Sequence, residues 1–298
     1  MKLGYIGLGK MGANMCERLL QQRYSLVVYD SNKNVVKKLV RKGAVDAASL
    51  TDLARKLSGP RVIWMMVPYG QIDSVLRSLT PRLRRGDIVI DGANAPYEKT
   101  IQRARALKRK GVTYLDTGIS GGPSGARDGA CVMVGGNKNA YNKLERLFRD
   151  VAVKDGYAYV GLSGAGHFVK MVHNGIEYGM MQSLAEGFAL LRKSPFKLDL
   201  LEIAKLYNRR SVIESRLVGW LAGTYQAYGQ DLKKLNGSVA HTGEGAWTVE
   251  AGKKLKSPTP SIELALNFRK KSAHNPSYAG KILSGLRNAF GGHSAKKK

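Results

Sequence analysis

"KLGYIGLGKMG", Lys2–Gly12, decides how the rest of the chain is read. Its apolar start is short enough for one buried strand, and Gly7, Gly9 and Gly12 follow in G-x-G-x-x-G register. "ANMCERLLQQR" continues with helical periodicity. The glycines therefore fall between a strand and a helix, the context that a dinucleotide-binding turn requires. In such a turn the first glycine allows the tight bend, the second lets the backbone approach a pyrophosphate, and the third lets the helix pack on the sheet. The helix amino terminus adds N–H donors and the positive end of its dipole. Cofactor contacts are expected from Gly7, Leu8, Gly9, Lys10, Met11 and Gly12. The next apolar run, "SLVVYD", ends on Asp30, about 20 residues beyond the glycines. A carboxylate there accepts hydrogen bonds from the adenosine ribose and repels a 2′-phosphate, so NAD is expected rather than NADP. Lys33, close by, is read as a surface lysine.

Working outward, "RVIWMMVP", "DIVIDGAN", "VTYLDTGISGG" and "ACVMVGG" are further buried runs that end in turn or small residues. Helical patterns such as "KNVVKKLVRKG" lie among them. This alternation predicts an α/β Rossmann-type doubly wound sheet with parallel crossovers and a ligand crevice at the carboxyl ends of the strands. After residue 164 strand-like runs disappear. One long helical pattern runs to Ser194-Pro195, and "LLEIAKLYNRR", "ESRLVGWLAGTYQAY", "GAWTVEAGKKL" and "PSIELALNFRKKSA" follow. The expected division is a dinucleotide-binding domain over 1–164 and an all-α domain over 165–298.

The chain has 298 residues, 43% of them hydrophobic, enough for two ordinary cores. It has no stretch with the length and apolarity of a membrane span, and its first residues lack a signal-peptide pattern. Cys16 and Cys131 lie far apart, outside any metal-spaced cluster, and both read as buried thiols without a disulfide. Cytoplasmic residence, no bound metal and no membrane contact are the expectations. Lys+Arg 49 against Asp+Glu 22 gives a charge of +27. Such an excess attracts polyanions at low salt. The basic residues are scattered, without the aromatics or motifs of a nucleic-acid module, so no specific nucleic-acid partner is expected. The ligands of a small-molecule enzyme need only a few of these charges.

"KMVHNGIEYG", Lys170–Gly179, carries the polar residues of the long helix. Lys170, His173, Asn174, Glu177 and Tyr178 recur at three- and four-residue spacings and share one face. Val172 and Ile176 fall on another face, and Gly175 and Gly179 leave room for close approach. A helix lining a pocket with titratable groups has this pattern.

With "GLGKMGANM", "MMVP", "DGANAPYEKT", "DTGISGGPSGARDGACVMVGG" and "GHFVKMVHNGIEYGMMQ" in this order, the chain resembles the decarboxylating 6-phosphogluconate dehydrogenases over almost its whole length. They belong to the wider β-hydroxyacid dehydrogenase group. The resemblance implies oxidative decarboxylation of 6-phosphogluconate to ribulose 5-phosphate and CO2, a step of the pentose phosphate pathway, with NAD reduced. It implies Lys170 as base and Glu177 as acid. It also implies Asn174 orienting the substrate hydroxyl with His173 nearby, and Ser120, Gly121 and Gly122 at the carboxylate. Asn94 falls where cofactor and substrate meet, and Val67 and Pro68 beside the nicotinamide. "LRNAFGGH" is similar to the segment that presents an arginine and a histidine, here Arg287 and His293, to a neighbouring subunit's site. A homo-oligomer, dimer or tetramer, is thus implied.

The chain departs from the common form in being much shorter and in placing Asp30 where that form has Asn-Arg-Thr. In "HTGEGAWTVEAG", Thr242 and Glu244 stand where the common form places a lysine and a threonine near the substrate phosphate. Either this loop is rearranged, or Arg287, Tyr178 and Arg269 hold the phosphate. The alternative is an NAD-dependent dehydrogenase of another, non-phosphorylated β-hydroxy acid.

Overall fold

Alternation along the first strands builds a sheet buried on both faces. Leu3, Tyr5, Trp64 and Ile90 belong to one hydrophobic cluster, while Ile6, Ile63, Met65 and Val89 belong to another. Successive side chains of a strand point to opposite faces, so apolar residues at every position require a helical layer on each side. The computed structural model, which describes residues 1–295, supplies both layers. Its strands are β1 (Lys2–Ile6), β2 (Ser25–Tyr29), β3 (Val45–Asp46), β4 (Val62–Met65), β5 (Ile88–Asp91), β6 (Thr113–Ser120), β7 (Ala130–Gly135) and β8 (Ala152–Gly161). Between them run α1 (Lys10–Gln21), α2 (Lys33–Val40), α3 (Leu50–Arg55), α4 (Ile72–Leu79), α5 (Tyr97–Lys108), α6 (Gly122–Asp128) and α7 (Lys138–Val151). The strand order is β3-β2-β1-β4-β5-β6-β7-β8. Met15 and Leu19 of α1 and Leu144 and Phe148 of α7 cover one face, and α3, α4 and α5 cover the other.

Pairing is parallel throughout except between β6 and β7. Only residues 121–129 join those two strands. A parallel crossover needs about a dozen residues or more, so the chain turns back antiparallel instead. Two strands lie outside the expected set. β3 is a two-residue edge, too short for a pattern. β8 is mostly exposed or half-buried and mixes lysine, aspartate and tyrosine, so it lacks an apolar run. Cys131 is exposed, contrary to its reading as a buried thiol, while Cys16 is buried. Alternation along β7 buries Ala130, Val132 and Val134 and turns Cys131 the other way.

The chain divides into two compact units after Met171, within the 29-residue helix α8 (Ala165–Lys193). The second unit continues through α9 (Leu200–Tyr207), α10 (Arg216–Tyr228), α11 (Glu244–Lys254), α12 (Pro260–Ser272) and α13 (Tyr278–Gly291). Its main core joins Met181 and Phe188 of α8, Leu200 of α9, Leu221 and Tyr225 of α10, and Ile282, Leu283 and Leu286 of α13. A smaller cluster joins Tyr178, Val249, Ala265 and Leu266. Gly175 meets the α11 residue Thr248, which a Cβ would approach to 2.6 Å. Gly179, read as a second close approach, faces open space with nothing within 4 Å of a Cβ. Ile176 is likewise exposed. No helix among the described residues is long and apolar enough to cross a membrane.

The start of α8 is seated on the sheet by backbone contact. A Cβ on Gly166 would lie 2.4 Å from the Asp116 carbonyl oxygen and 2.7 Å from that of Met133. Backbone cannot swing aside as a flexible side chain would. Gly166→Ala is therefore expected to lower stability by about 1–3 kcal/mol, read as a lower urea midpoint. An unchanged midpoint would show that α8 does not rest on β6 and β7 in this way.

Candidate active site

The glycine turn follows β1 as its spacing requires. Gly7 has φ +92°, and a Cβ there would lie 2.3 Å from the Met66 carbonyl oxygen and 2.9 Å from Val67 Cγ1. A Cβ on Gly12 would lie 2.0 Å from the Gly7 carbonyl oxygen, so α1 packs against the turn only because both residues are glycine. Gly9 is different: nothing lies within 4 Å of a Cβ built on it. It is also the N-cap of α1 and supplies no side-chain cap, whereas Ser49, Asn137, Ser215 and Ser277 cap α3, α7, α10 and α13. An uncapped helix amino terminus opening onto an unfilled cradle fits the pyrophosphate of a nicotinamide dinucleotide. Met11 packs on the first core and Lys10 is exposed at the helix start.

Asp30 fastens this turn. Its Oδ2 accepts the Leu8 backbone N–H at 2.6 Å, and its Oδ1 accepts that of Asn32 at 2.8 Å. Leu8 is buried, so the turn is held from behind. Lys33 is exposed, with its Nζ 3.4 Å from the Ala48 carbonyl oxygen. Met66-Val67-Pro68 leaves β4 beside Gly7, which places Val67 at the turn.

Further along the same edge, Asn94 is exposed just beyond β5. Ser120 ends β6, and Gly121 and Gly122 follow with φ of +127° and +64°. Lys170 stands close to them in the same unit. It is 7% exposed, and a Cβ on Gly118 of β6 would lie 2.4 Å from its Cβ. Asp116, two residues before Gly118, accepts the backbone N–H groups of Gly164 at 2.8 Å and His167 at 3.0 Å. His167 is buried, its Nδ1 2.7 Å from Thr100 Oγ1 and its Nε2 3.1 Å from the Asp91 carbonyl oxygen. Asp116, Gly118, Gly166 and His167 thus position Lys170, and the sequence reading gave them no role. Their partners lie 48 or more positions away in the chain, beyond any local pattern.

In the second unit, His173 Nδ1 lies 3.1 Å from Asn174 Oδ1 and 4.0 Å from Glu177 Oε2. Tyr178 is buried between two elements. The Arg269 guanidinium lies 3.4 Å from its ring centroid, and a Cβ on Gly245 would lie 2.5 Å from its ring. Arg269 and Arg287 are 3% and 8% exposed, too buried for ordinary surface cations. Burial pushes both guanidinium pKa values down, and the Glu177 carboxylate opposes that shift at each arginine. Burial pushes the Tyr178 phenol up, which keeps it a hydrogen-bond donor. Glu244 is 7% exposed, accepts the Thr242 hydroxyl, and acts electrostatically on Arg287 and Tyr178. His293 folds back on the end of α13, its backbone N–H reaching the Arg287 carbonyl oxygen at 3.4 Å. Within this unit Tyr178, Arg269 and Arg287 therefore form one cluster suited to an anion, with the Glu244 carboxylate acting on it. Among the described residues, no group of His, Cys, Asp and Glu could hold a metal ion.

The chain matches two domain profiles end to end. That of the NAD binding domain of 6-phosphogluconate dehydrogenase covers residues 2–161, and that of the 6-phosphogluconate dehydrogenase C-terminal domain covers 166–296. YqeC of Bacillus subtilis, provisionally named a 6-phosphogluconate dehydrogenase, is 44% identical over 301 residues, 100% of each chain. The NAD(+)-dependent, decarboxylating 6-phosphogluconate dehydrogenase of Haloferax volcanii is 39% identical over 300 residues, 100% of this chain and 99% of its own. Plasmodium falciparum 6-phosphogluconate dehydrogenase superposes with a TM-score of 0.81 at 26% identity, over 96% of this chain and 70% of that one. The chain belongs to the 6-phosphogluconate dehydrogenase family, as an oxidoreductase with a Rossmann unit for a nicotinamide cofactor and a helical second unit.

Proposed function

We propose that the protein oxidises and decarboxylates 6-phosphogluconate to ribulose 5-phosphate and CO2, with NAD as the preferred cofactor. The observation that carries the substrate is the buried Tyr178–Arg269–Arg287 cluster, which offers two guanidinium groups and a phenol to a phosphate. The same helix carries the base and the acid, Lys170 and Glu177, about 10 Å apart along its axis. The Haloferax volcanii relative, named NAD(+)-dependent, supports the cofactor. A homo-oligomer belongs to this reading by the same family resemblance.

In the proposed reaction Lys170, as the neutral amine, takes the proton of the C3 hydroxyl. A nicotinamide dinucleotide held at the Gly7–Gly12 turn would supply the acceptor for the hydride of C3. The Lys170 ammonium then donates a hydrogen bond to the new C3 carbonyl oxygen and draws electron density toward it. The C1–C2 bond breaks, CO2 leaves, and the bonding pair becomes the C2=C3 double bond as Lys170 gives its proton to the C3 oxygen, forming the enediol. Glu177 gives its proton to C2, which becomes C1 of the product, Lys170 takes back the proton of the oxygen on C3, and the enediol becomes the ketose. Lys170 is suited to the first step by its buried place beside β6. Ser120, Gly121 and Gly122 orient the carboxylate, Asn94 and Asn174 the hydroxyls, and His173 supports Asn174 through their 3.1 Å contact.

Glu244 favours a second reading. A buried carboxylate beside Arg287 lowers the positive charge available to a phosphate, as a non-phosphorylated β-hydroxy acid would require.

Purified protein is expected to form NADH from 6-phosphogluconate with stoichiometric CO2, and more slowly with NADP. Lys170→Met should lower kcat by about 10²–10⁴-fold. Arg287→Ala should raise KM for 6-phosphogluconate about 10- to 100-fold, for a lost charge-assisted hydrogen bond of about 1.5–3 kcal/mol, and leave NAD binding alone. An equal loss with a non-phosphorylated substrate would favour the second reading. Asp30→Ala should weaken NAD by about tenfold or more and narrow the NAD-over-NADP ratio of kcat/KM. It should not reverse that ratio, because the carboxylate also holds Leu8. An unchanged ratio would remove Asp30 from ribose recognition.

A further inference from the structure

The excess of +27 has a place in the fold. In the first unit β1, β4, β5 and β6 are parallel, so the segments entering β5 and β6 lie at the sheet edge opposite the glycine turn. The segment entering β5 carries Arg82, Arg84 and Arg85, and the turn entering β6 carries Lys108, Arg109 and Lys110. All six side chains are exposed. The two segments form one surface. The Gly86 N–H donates to the Gly111 carbonyl at 2.9 Å, the Thr113 N–H to that of Asp87 at 2.9 Å, and a Cβ on Gly111 would meet the Arg85 side chain at 2.8 Å.

The local carboxylate does not neutralise them. Asp87 is 1% exposed, and its oxygens accept the Arg61 and Arg84 backbone N–H groups, with the Arg61 guanidinium 3.4 Å away. Among the described residues none of the six cations has a carboxylate partner. Exposed cations elsewhere do: Lys42 pairs with Glu17, Arg55 with Asp52, Arg192 with Asp231, and Lys254 with Glu250. The negative end of the α5 dipole accounts for Lys108 in its last turn. It does not reach Arg82, Arg84 and Arg85, which lie in a separate segment.

We propose that this face binds the phosphate backbone of nucleic acid without reading its sequence. No large apolar side chain is exposed between residues 70 and 152 among those described, so nothing there would enter a lipid layer or stack on a base. Contacts then fall on phosphates alone, which duplex and single strand share. The glycine turn, at the other edge of the sheet, stays open to its cofactor.

The test is fluorescence anisotropy of the full-length protein with labelled duplexes of two unrelated sequences, between about 50 and 200 mM salt. Saturable binding equal for both sequences is expected, with log K falling against log salt at a slope of about −5 for six phosphates. The triple variant Arg84→Glu/Arg85→Glu/Arg109→Glu should abolish saturable binding and keep wild-type dehydrogenase activity, which also shows that it is folded. The control Lys193→Glu/Lys197→Glu/Arg209→Glu changes net charge equally in the second unit and should keep the binding. If the triple variant does not fold, Arg85→Gln/Lys110→Gln replaces it, each change lowering the slope by about 1. Equal losses in triple variant and control would reduce the effect to net charge and overturn the proposal. Unsaturable adhesion would also overturn it, as would patch-dependent binding to phosphatidylserine vesicles in preference to duplex.

Discussion

Asp116 turns both carboxylate oxygens to the start of α8, accepting the N–H groups of Gly164 and His167. A helix leaves its first N–H groups without internal partners, and burying them unpaired is costly. Helices α2, α3, α7, α9, α10 and α13 solve this with a side chain at the N-cap, but α8 takes its acceptor from β6. Hydrogen bonds to a charged acceptor contribute about 1.5–3 kcal/mol each, so the helix start is fixed to the strand rather than merely packed near it. Gly118 and Gly166 permit the contact, and the His167 ring ties the same turn to Thr100 of α5 and to the end of β5. Lys170 follows one turn later. Its place beside β6, and hence beside Ser120, Gly121 and Gly122, depends on this anchor.

The second unit sets a different electrostatic problem. Arg269 and Arg287 are buried, burial pushes both pKa values down, and Arg287 lowers that of Arg269 further, yet a guanidinium does not give up its charge. Two buried cations need negative charge or strong donor-acceptor partners. Stacking on Tyr178 satisfies part of Arg269, and Glu244 supplies a carboxylate to Arg287. Glu244 therefore acts as a counter-ion to Arg287 inside the helical unit.

Much of this was legible in the sequence because it repeats locally. The glycine turn, the apolar runs of β1, β2, β4, β5, β6 and β7, and the polar stripe of α8 all carry short-range patterns. What escaped the reading depends on distant or weak signals. β8 has too few buried side chains to register as a strand, and the reversal at β7 follows from a link too short to cross over. Cys131 and Gly179 were misread because residue type alone does not say which face is covered. Asp116 stood in a quoted motif, but its partners lie at the far end of a long connection. Asp30 was read as a ribose ligand, and the structure adds its hold on Leu8, a contact set by how the turn folds back over β2.

The same dipole argument ties the two edges of the sheet together. In a doubly wound unit the helix that follows each parallel strand starts at the carboxyl edge and ends at the amino edge. Helix α1 brings no acidic residue to its first turn and leaves that terminus to an anion. Each helix from α1 to α5 brings at least one arginine or lysine to its last turn: Arg18, Lys37 and Lys38, Arg55, Arg77, and Arg105 with Lys108. Each such cation is favourable to its own helix by only about 0.3–1 kcal/mol. Their sum nevertheless sorts charge by edge, because the topology aligns every carboxyl terminus. Arg82, Arg84 and Arg85 add to an edge that is already cationic, and among the described residues no carboxylate pairs with them to offset their mutual repulsion.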